Sequence, residues 1–117
     1  MKQKWFAEMQ FRQLRMDAHC FADYYRDTCA LEKADLIAFM KANTAYQLKE
    51  SVSRCTADVR IYYGEKEVAG IRKSAKRIHE AIPQSRLTEL PAMYHGDFSV
   101  NHPAQYANVI KEICGGE

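Results

Sequence analysis

The clearest strand pattern in the chain is Val59-Arg60-Ile61-Tyr62-Tyr63, which ends at Gly64. Its β-branched and aromatic residues are typical of strands, and they do not alternate cleanly with polar residues. A run of this kind predicts a strand that is covered on both faces, as in a parallel sheet. Because glycine follows the last tyrosine, the chain is free to turn there and the strand has a defined end.

A helix and a second strand are predicted after this glycine. Apolar residues recur at spacings of four and three with basic residues largely on the other side, which is typical of a surface helix, and Pro83 ends it. The apolar positions are Ile71, Ala75, Ile78 and Ile82. Leu87-Thr88-Glu89-Leu90 gives the second strand, and Pro103 suits the first turn of a closing helix. A strand, a crossover helix and a strand form a right-handed unit with parallel strands.

The residues before Ala57 are predicted to be helical throughout. No proline or glycine interrupts Lys4 to Tyr25, where apolar residues recur at helical spacing, so the pattern predicts one long amphipathic helix. A further helix is predicted from Glu32 to Asn43, and Ala45 to Ser53 forms either a third short helix or a continuation of it.

We expect a single α/β domain over residues 1–117, with a helical segment at 1–56 and a β-α-β-α segment at 57–117. A two-stranded parallel sheet has two open edges and is marginal by itself. The amino-terminal helices, a second copy of the chain or another part of a larger protein must therefore cover it. Among these, the sharpest expectation is a homo-oligomer in the form of a symmetric dimer.

The composition argues against polyanionic partners. The 117 residues carry a net charge of +2, with a sequence pI near 8.3, and basic residues are interleaved with acidic ones, as in Arg12, Arg15 and Asp17. Such mixing is typical of a solvated surface. No run approaches the roughly 20 apolar residues that span a bilayer. We therefore expect neither a nucleic-acid nor a membrane partner.

The cysteines lie far apart, without a Cys-x-x-Cys motif, at Cys20, Cys29, Cys55 and Cys114. Since the amino terminus also lacks an apolar signal core, a cytoplasmic protein with reduced thiols is the simplest expectation. No group of histidine, cysteine and carboxylate residues has zinc-like spacing, and no glycine-rich loop follows the first strand. We predict no metal site and no cofactor.

Three of the four histidines are not expected to be catalytic. His19 adjoins Cys20, but neighbours on a helix point about 100° apart, which argues against a cysteine-histidine dyad. His79 lies on the polar face of its helix and is expected to be solvated. His102 precedes Pro103 and is expected at the mouth of the last helix.

The order of elements from Ala57 to Cys114 resembles the last third of an α/β hydrolase. In that family the acid of a nucleophile-acid-base triad follows one strand, and the catalytic histidine follows the next. Glu67 stands three residues after Gly64, where the family commonly has Gly-x-x-Asp, and His95 precedes Gly96 in the loop after the last strand. The resemblance implies that Glu67 orients His95, which acts as general base and general acid.

The acid position departs from the family pattern, because glutamate replaces the usual aspartate and its extra methylene changes its reach. Glu65 and Asp97 stand close by and are alternatives to Glu67 as the acid. The helical residues before Val59 match the family's cap by chain position only. Their aromatic and methionine side chains either line a substrate tunnel or form plain core; they are Trp5, Phe6, Met9, Phe11, Phe21, Tyr24 and Tyr25.

The family's nucleophile is missing, since no Gly-x-Ser-x-Gly pattern occurs in the 117 residues. The resemblance implies hydrolysis of an ester or similar acyl bond through a serine acyl-enzyme. We therefore predict the carboxyl-terminal portion of such a hydrolase, inactive alone. A partner chain would supply the nucleophile, and a small-molecule substrate would bind only in the complete enzyme. The alternative is a non-catalytic, oligomerising α/β module in which Glu67 and His95 are relics.

Overall fold

The computed structural model describes residues 3–115. Contacts within the chain divide it into two compact units, Met1–Gln47 and Leu48–Glu117, and each is described by itself. The described residues form six α-helices, two short 3-10 helices and one parallel sheet of two strands. This mixture of helices and parallel strands agrees with the coarse α/β class, whereas the single domain over 1–117 stays a prediction.

The first unit is helical. Its core consists of Ala7 and Phe11, which are buried on the first helix. The ring of Phe11 packs 5.3 Å from that of Phe21 and 5.2 Å from that of Tyr24, measured between centroids. The α-helices of this unit are α1 (Lys4–Leu14), α2 (Phe21–Ala30) and α3 (Lys33–Ala45), with a 3-10 helix at Ala18–Cys20 before α2.

The prediction of one long helix from Lys4 to Tyr25 is wrong. Helix α1 ends at Leu14, and Arg15 adopts a left-handed conformation with φ of 54°. Asp17 then caps the 3-10 helix, because its side chain accepts a hydrogen bond from the backbone N–H of His19. Aspartate competes for backbone donors in this way and so favours helix starts over helix interiors. The break lets the aromatic faces of α1 and α2 pack against each other.

The second unit contains the sheet. Strand β1 (Arg60–Gly64) pairs in parallel with β2 (Arg86–Leu90), and α4 (Ala69–Ala81) is the crossover between them. A 3-10 helix at Glu50–Arg54 precedes β1, and α5 (Asp97–Val100) and α6 (Pro103–Ile113) follow β2. The sequence prediction of this order is confirmed to within one or two residues for β1, α4 and β2. Helix α5 was not predicted, and the helix predicted at Ala45 to Ser53 is only the 3-10 turn.

The core of this unit lies around the carboxyl ends of the strands. Tyr63 and Leu90, near or at the ends of β1 and β2, are buried with Ala75 and Ile82 of the α4 region and with Met93. The amino-terminal part of β1 is only half-buried, and most of β2 is exposed. Coverage of both strand faces, as expected from the sequence, is therefore incomplete. None of the helices described is both long and apolar enough to traverse a membrane.

Backbone hydrogen bonds join the loops that leave the two strands. The N–H of Glu65 donates to the carbonyl of Leu90 at 2.9 Å, and the N–H of Lys66 donates to that of Met93 at 2.9 Å. Gly64 permits this close approach, because a Cβ atom built there would lie 2.7 Å from the Met93 carbonyl carbon and closer still to its oxygen. The turn after β1 is thus held against the loop after β2.

Gly64→Ala is expected to destabilise the protein by about 1–3 kcal/mol, since the new methyl group collides with backbone that cannot rotate away. Gly70→Ala is the matched control. A Cβ at Gly70 meets nothing within 4 Å. Because this residue lies in α4, alanine there should stabilise by about 0.4–1 kcal/mol. Urea unfolding measures both; equal stability of the two variants would contradict the close approach.

Candidate active site

His95 and Glu67 meet at the carboxyl end of the sheet. The Nδ1 atom of His95 lies 3.0 Å from Oε1 and 3.1 Å from Oε2 of Glu67. The Glu67 side chain is 7% exposed, whereas that of His95 is 78% exposed. The arrangement is a shielded carboxylate that holds an accessible imidazole.

Glu67 is placed by the turn that follows β1. Its backbone N–H donates to the carbonyl of Gly64 at 3.1 Å, which closes the turn three residues after the strand ends. The adjoining backbone bonds to Leu90 and Met93 tie this turn to the neighbouring loop. The carboxylate therefore projects from a segment that is fixed on both sides.

His95 is placed by a loop that Asp97 organises. The Asp97 carboxylate is buried, and it accepts hydrogen bonds from the backbone N–H of Tyr94 at 2.7 Å and from the side-chain amide of Asn101 at 2.8 Å. Gly96 has φ of 77°, a left-handed conformation that glycine adopts without strain, and it begins α5. This sharp turn presents the imidazole outward.

The three candidate acids have different partners. Glu65 accepts a hydrogen bond from the backbone N–H of Ala92 at 2.7 Å, a residue with φ of 59°. Asp97 organises the loop of His95 as described above. Glu67 is the acid that the structure brings to the Nδ1 atom of His95, as the sequence predicted, so the alternatives have structural tasks instead.

The contact determines which nitrogen carries the proton. An ionised carboxylate only accepts hydrogen bonds, so Nδ1 of a neutral His95 is the donor and Nε2 is left as an acceptor. This is the orientation that a general base needs, with the carboxylate also stabilising the imidazolium that forms after proton uptake. The described geometry can therefore bind, hold and release a proton at Nε2.

An open cavity of about 460 Å³ adjoins the pair. Both Glu67 and His95 line it, together with aromatic residues from three elements. The ring of Phe98 lies 5.5 Å from that of Tyr62 and 5.4 Å from that of Tyr106, between centroids. The lining of the cavity is thus largely aromatic and apolar, and Glu67 and His95 add polar side chains to it.

The sequence pattern does not predict that Phe98 and Tyr62 line the cavity. Phe98 lies on α5, which has four residues and is too short to show a helical period. Tyr62 and Tyr63 are neighbours on β1, and side chains of neighbouring strand residues point to opposite faces of the sheet. The strand pattern therefore does not predict that both tyrosines line one cavity, as they do. Tyr106 lies on α6 and is 40% exposed.

Two other histidine predictions were incorrect. His79 is half-buried, and its Nδ1 lies 2.8 Å from the hydroxyl of the buried Ser85, so it is not simply solvated. Nε2 of His19 lies 3.4 Å from the sulfur of Cys20. Helical divergence does not separate these two side chains, because they belong to a 3-10 turn at the start of α2.

No group of three or more histidine, cysteine, aspartate or glutamate side chains in residues 3–115 has a geometry that could hold a metal ion. No protein-family model matches the sequence, and no curated protein or solved structure shows significant similarity to it. The α/β-hydrolase interpretation of residues 57–114 therefore stays a prediction.

Glu67→Gln is expected to change the tautomer of His95. In the unaltered chain the carboxylate holds the proton on Nδ1, whereas glutamine offers an amide that can donate as well as accept. Nitrogen NMR of the ring should show the Nδ1–H form before the substitution and a loss of that form after it. The ring signals of His102 serve as the control, and an unchanged His95 spectrum would contradict the hydrogen bond.

Proposed function

We propose that residues 57–114 are the acid-histidine segment of a hydrolase that cleaves esters or similar acyl bonds, of the α/β-hydrolase type. The observation that supports this most directly is the 3.0 Å contact between the shielded Glu67 carboxylate and Nδ1 of the exposed His95. Their position at the carboxyl ends of parallel strands adds support, since open α/β sheets bind ligands there.

The proposed chemistry begins with a hydroxyl nucleophile supplied from outside these 117 residues. His95 takes the hydroxyl proton at Nε2 as the oxygen attacks the acyl carbon, and Glu67 stabilises the resulting imidazolium. His95 then returns the proton to the leaving alcohol, which frees the acyl-enzyme for hydrolysis. Small acyl esters are the substrate class, and the helical residues before Val59 stand where a cap would stand in the chain.

The proposal includes a requirement for a second polypeptide segment. The sequence has no Gly-x-Ser-x-Gly elbow, and the Glu67–His95 pair supplies a base but not an oxygen nucleophile. The chain alone is therefore proposed to be inactive in turnover. A cytoplasmic location belongs to the same proposal, which rests on the wide spacing of the four cysteines in the sequence.

Steady-state hydrolysis of short and medium p-nitrophenyl esters tests this function. The purified chain and His95→Ala should both match the buffer rate. After co-expression with a polypeptide that carries the serine elbow, encoded next to this chain, turnover should appear. His95→Ala should then lower kcat by about 10³-fold or more, as removal of a triad member does.

Glu67→Gln should also lower kcat in that complex, by about 10²-fold or more, while His102→Gln serves as the exposed histidine control. Labelling of the partner's serine by a fluorophosphonate shows whether the nucleophile is intact. A complex with a reactive serine and turnover that is indifferent to His95 would overturn the proposal. So would His95-dependent turnover by the chain alone, because the nucleophile would then lie within it.

A second candidate function is a non-catalytic module that forms a dimer. Helix α3 favours it, because its apolar residues are exposed on more than one side, with Ile37, Phe39 and Met40 at 42%, 62% and 54% exposure. Exposed apolar side chains that lie close together are typical of protein–protein interaction sites. The outer edge of each strand also lacks a partner strand among the described residues.

Light scattering after size exclusion tests self-association. The expected mass is twice that of the 13.5 kDa chain. The double substitution Ile37→Ser and Met40→Ser should shift the protein to monomer, because both side chains lie on one helix face and lose apolar contact area. Ala42→Ser on the same helix is the control and should stay dimeric. A monodisperse monomer of the unaltered chain would rule out the dimer.

A further inference from the structure

The turn between α1 and α2 places the His19 ring in contact with both the Asp17 carboxylate and the Cys20 sulfur. The Nδ1 atom of His19 lies 2.8 Å from Oδ1 of Asp17, and its Nε2 lies 3.4 Å from the sulfur of Cys20. The two contacts use opposite nitrogens of one ring. This is the order of groups in a thiol nucleophile with its base and an orienting acid.

We infer that Cys20 is a nucleophilic thiol, activated by His19 and positioned through Asp17, that accepts acyl groups from activated esters. The site lies wholly within the first unit, and its chemistry needs neither His95 nor a partner polypeptide. It is therefore a separate activity from the one proposed for the second unit.

Asp17 determines the tautomer of the imidazole. Its carboxylate accepts a hydrogen bond from the backbone N–H of His19 at 3.2 Å as well as from the ring. These two hydrogen bonds, the backbone one first, hold the pKa of Asp17 below its ordinary value, so the carboxyl group is ionised at neutral pH. With Nδ1–H donating to the carboxylate, Nε2 is the acceptor that faces the thiol.

The turn itself is fixed by backbone contacts. The N–H of Cys20 donates to the carbonyl of Asp17 at 3.0 Å, which closes the 3-10 turn. The three side chains therefore come from one rigid, local segment. The Cys20 residue is half-buried, while the His19 side chain is 78% exposed, so a small reagent can reach the sulfur from the side of the ring.

An apolar cavity lies beside this turn. It has a volume of about 470 Å³, and its apolar lining residues are Phe11, Met16, Ala18 and Phe21, whereas Asp17, His19 and Cys20 are not part of its lining. Arg12 and Glu8 form its charged margin.

Cys29 provides an internal comparison for the reactivity of Cys20. Cys29 is half-buried like Cys20 and lies in the same unit, but it interacts with the hydroxyl of Tyr25, and that hydrogen bond raises the pKa of the tyrosine. A phenol does not accept the thiol proton at neutral pH as imidazole does.

Asp17, His19 and Cys20 do not belong to any group of side chains in residues 3–115 that could hold a metal ion.

The step conserves atoms and charge. Nε2 of His19 takes the thiol proton as Sγ forms a bond to the acyl carbon of the ester. The carbon–oxygen bond to the leaving group then breaks, and the departing alcohol receives the proton from the imidazolium. The products are an S-acyl Cys20 and the free alcohol, with no oxidant or second reactant involved.

Timed acetylation by p-nitrophenyl acetate, quenched in acid and followed by peptide mass spectrometry, tests the inference. In the unaltered chain Cys20 should be acetylated at least about 10²-fold faster than Cys29, the low end of what a general base contributes. His19→Gln should reduce the rate at Cys20 to that at Cys29 and leave Cys29 unchanged. Equal rates in the unaltered chain, or an advantage of Cys20 that survives this substitution, would overturn it.

Two further variants separate chemistry from folding. His19→Ala should be rescued at Cys20, and not at Cys29, by added imidazole, because free imidazole replaces the missing base. Equal acceleration at both cysteines would count against the site. Asp17→Asn should slow Cys20 only while His19 is present, and the nitrogen NMR spectrum of the His19 ring should lose its Nδ1–H form. An unchanged ring spectrum would refute the role of Asp17.

The readout also distinguishes this inference from the proposed function. Acetylation is measured per cysteine in the chain alone and reaches one acyl group per thiol, whereas the hydrolase proposal is measured as continuous turnover in the presence of a second polypeptide. Either result can fail while the other stands.

Discussion

Parallel pairing of Arg60–Gly64 with Arg86–Leu90 is the constraint on which the rest of the second unit depends. Parallel strands end at the same edge, so the turn after the first and the loop after the second leave the sheet side by side. Two residues far apart in sequence, Glu67 and His95, thereby come within hydrogen-bond distance. The crossover helix supplies most of the apolar cover that keeps the pairing in register.

The strands, the crossover helix and the acid-histidine pair were predictable because each leaves a local pattern. Periodicity marks α4, β-branched and aromatic residues mark β1, and the positions of Glu67 and His95 after consecutive strands predict their contact. Helix α5 left no such pattern, since four residues cannot show a period. The partner of His79 was also hidden, because Ser85 reaches it only after α4 has ended and the chain has turned back.

The helix break at Arg15 could not be predicted from the sequence for a different reason. Nothing in the residue types of α1 and α2 forbids a continuous helix, and helical spacing persists through the break. Instead, the left-handed Arg15 ends α1 and Asp17 caps the 3-10 helix that follows. Packing of Phe11 on Phe21 stabilises the turn between the two helices. Tertiary contact decides this point. Because the same break creates the 3-10 turn, a continuous helical pattern does not predict the contacts of His19.

The difference in exposure between Glu67 and His95 has a consequence for ligand entry. The carboxylate is shielded from water, so its charge depends on the imidazole more than the well-solvated imidazole depends on it. A molecule that pulled the ring into the cavity would leave that charge poorly solvated. Any occupant must therefore either leave the ring where it is or bring its own hydrogen-bond donor to take the ring's place.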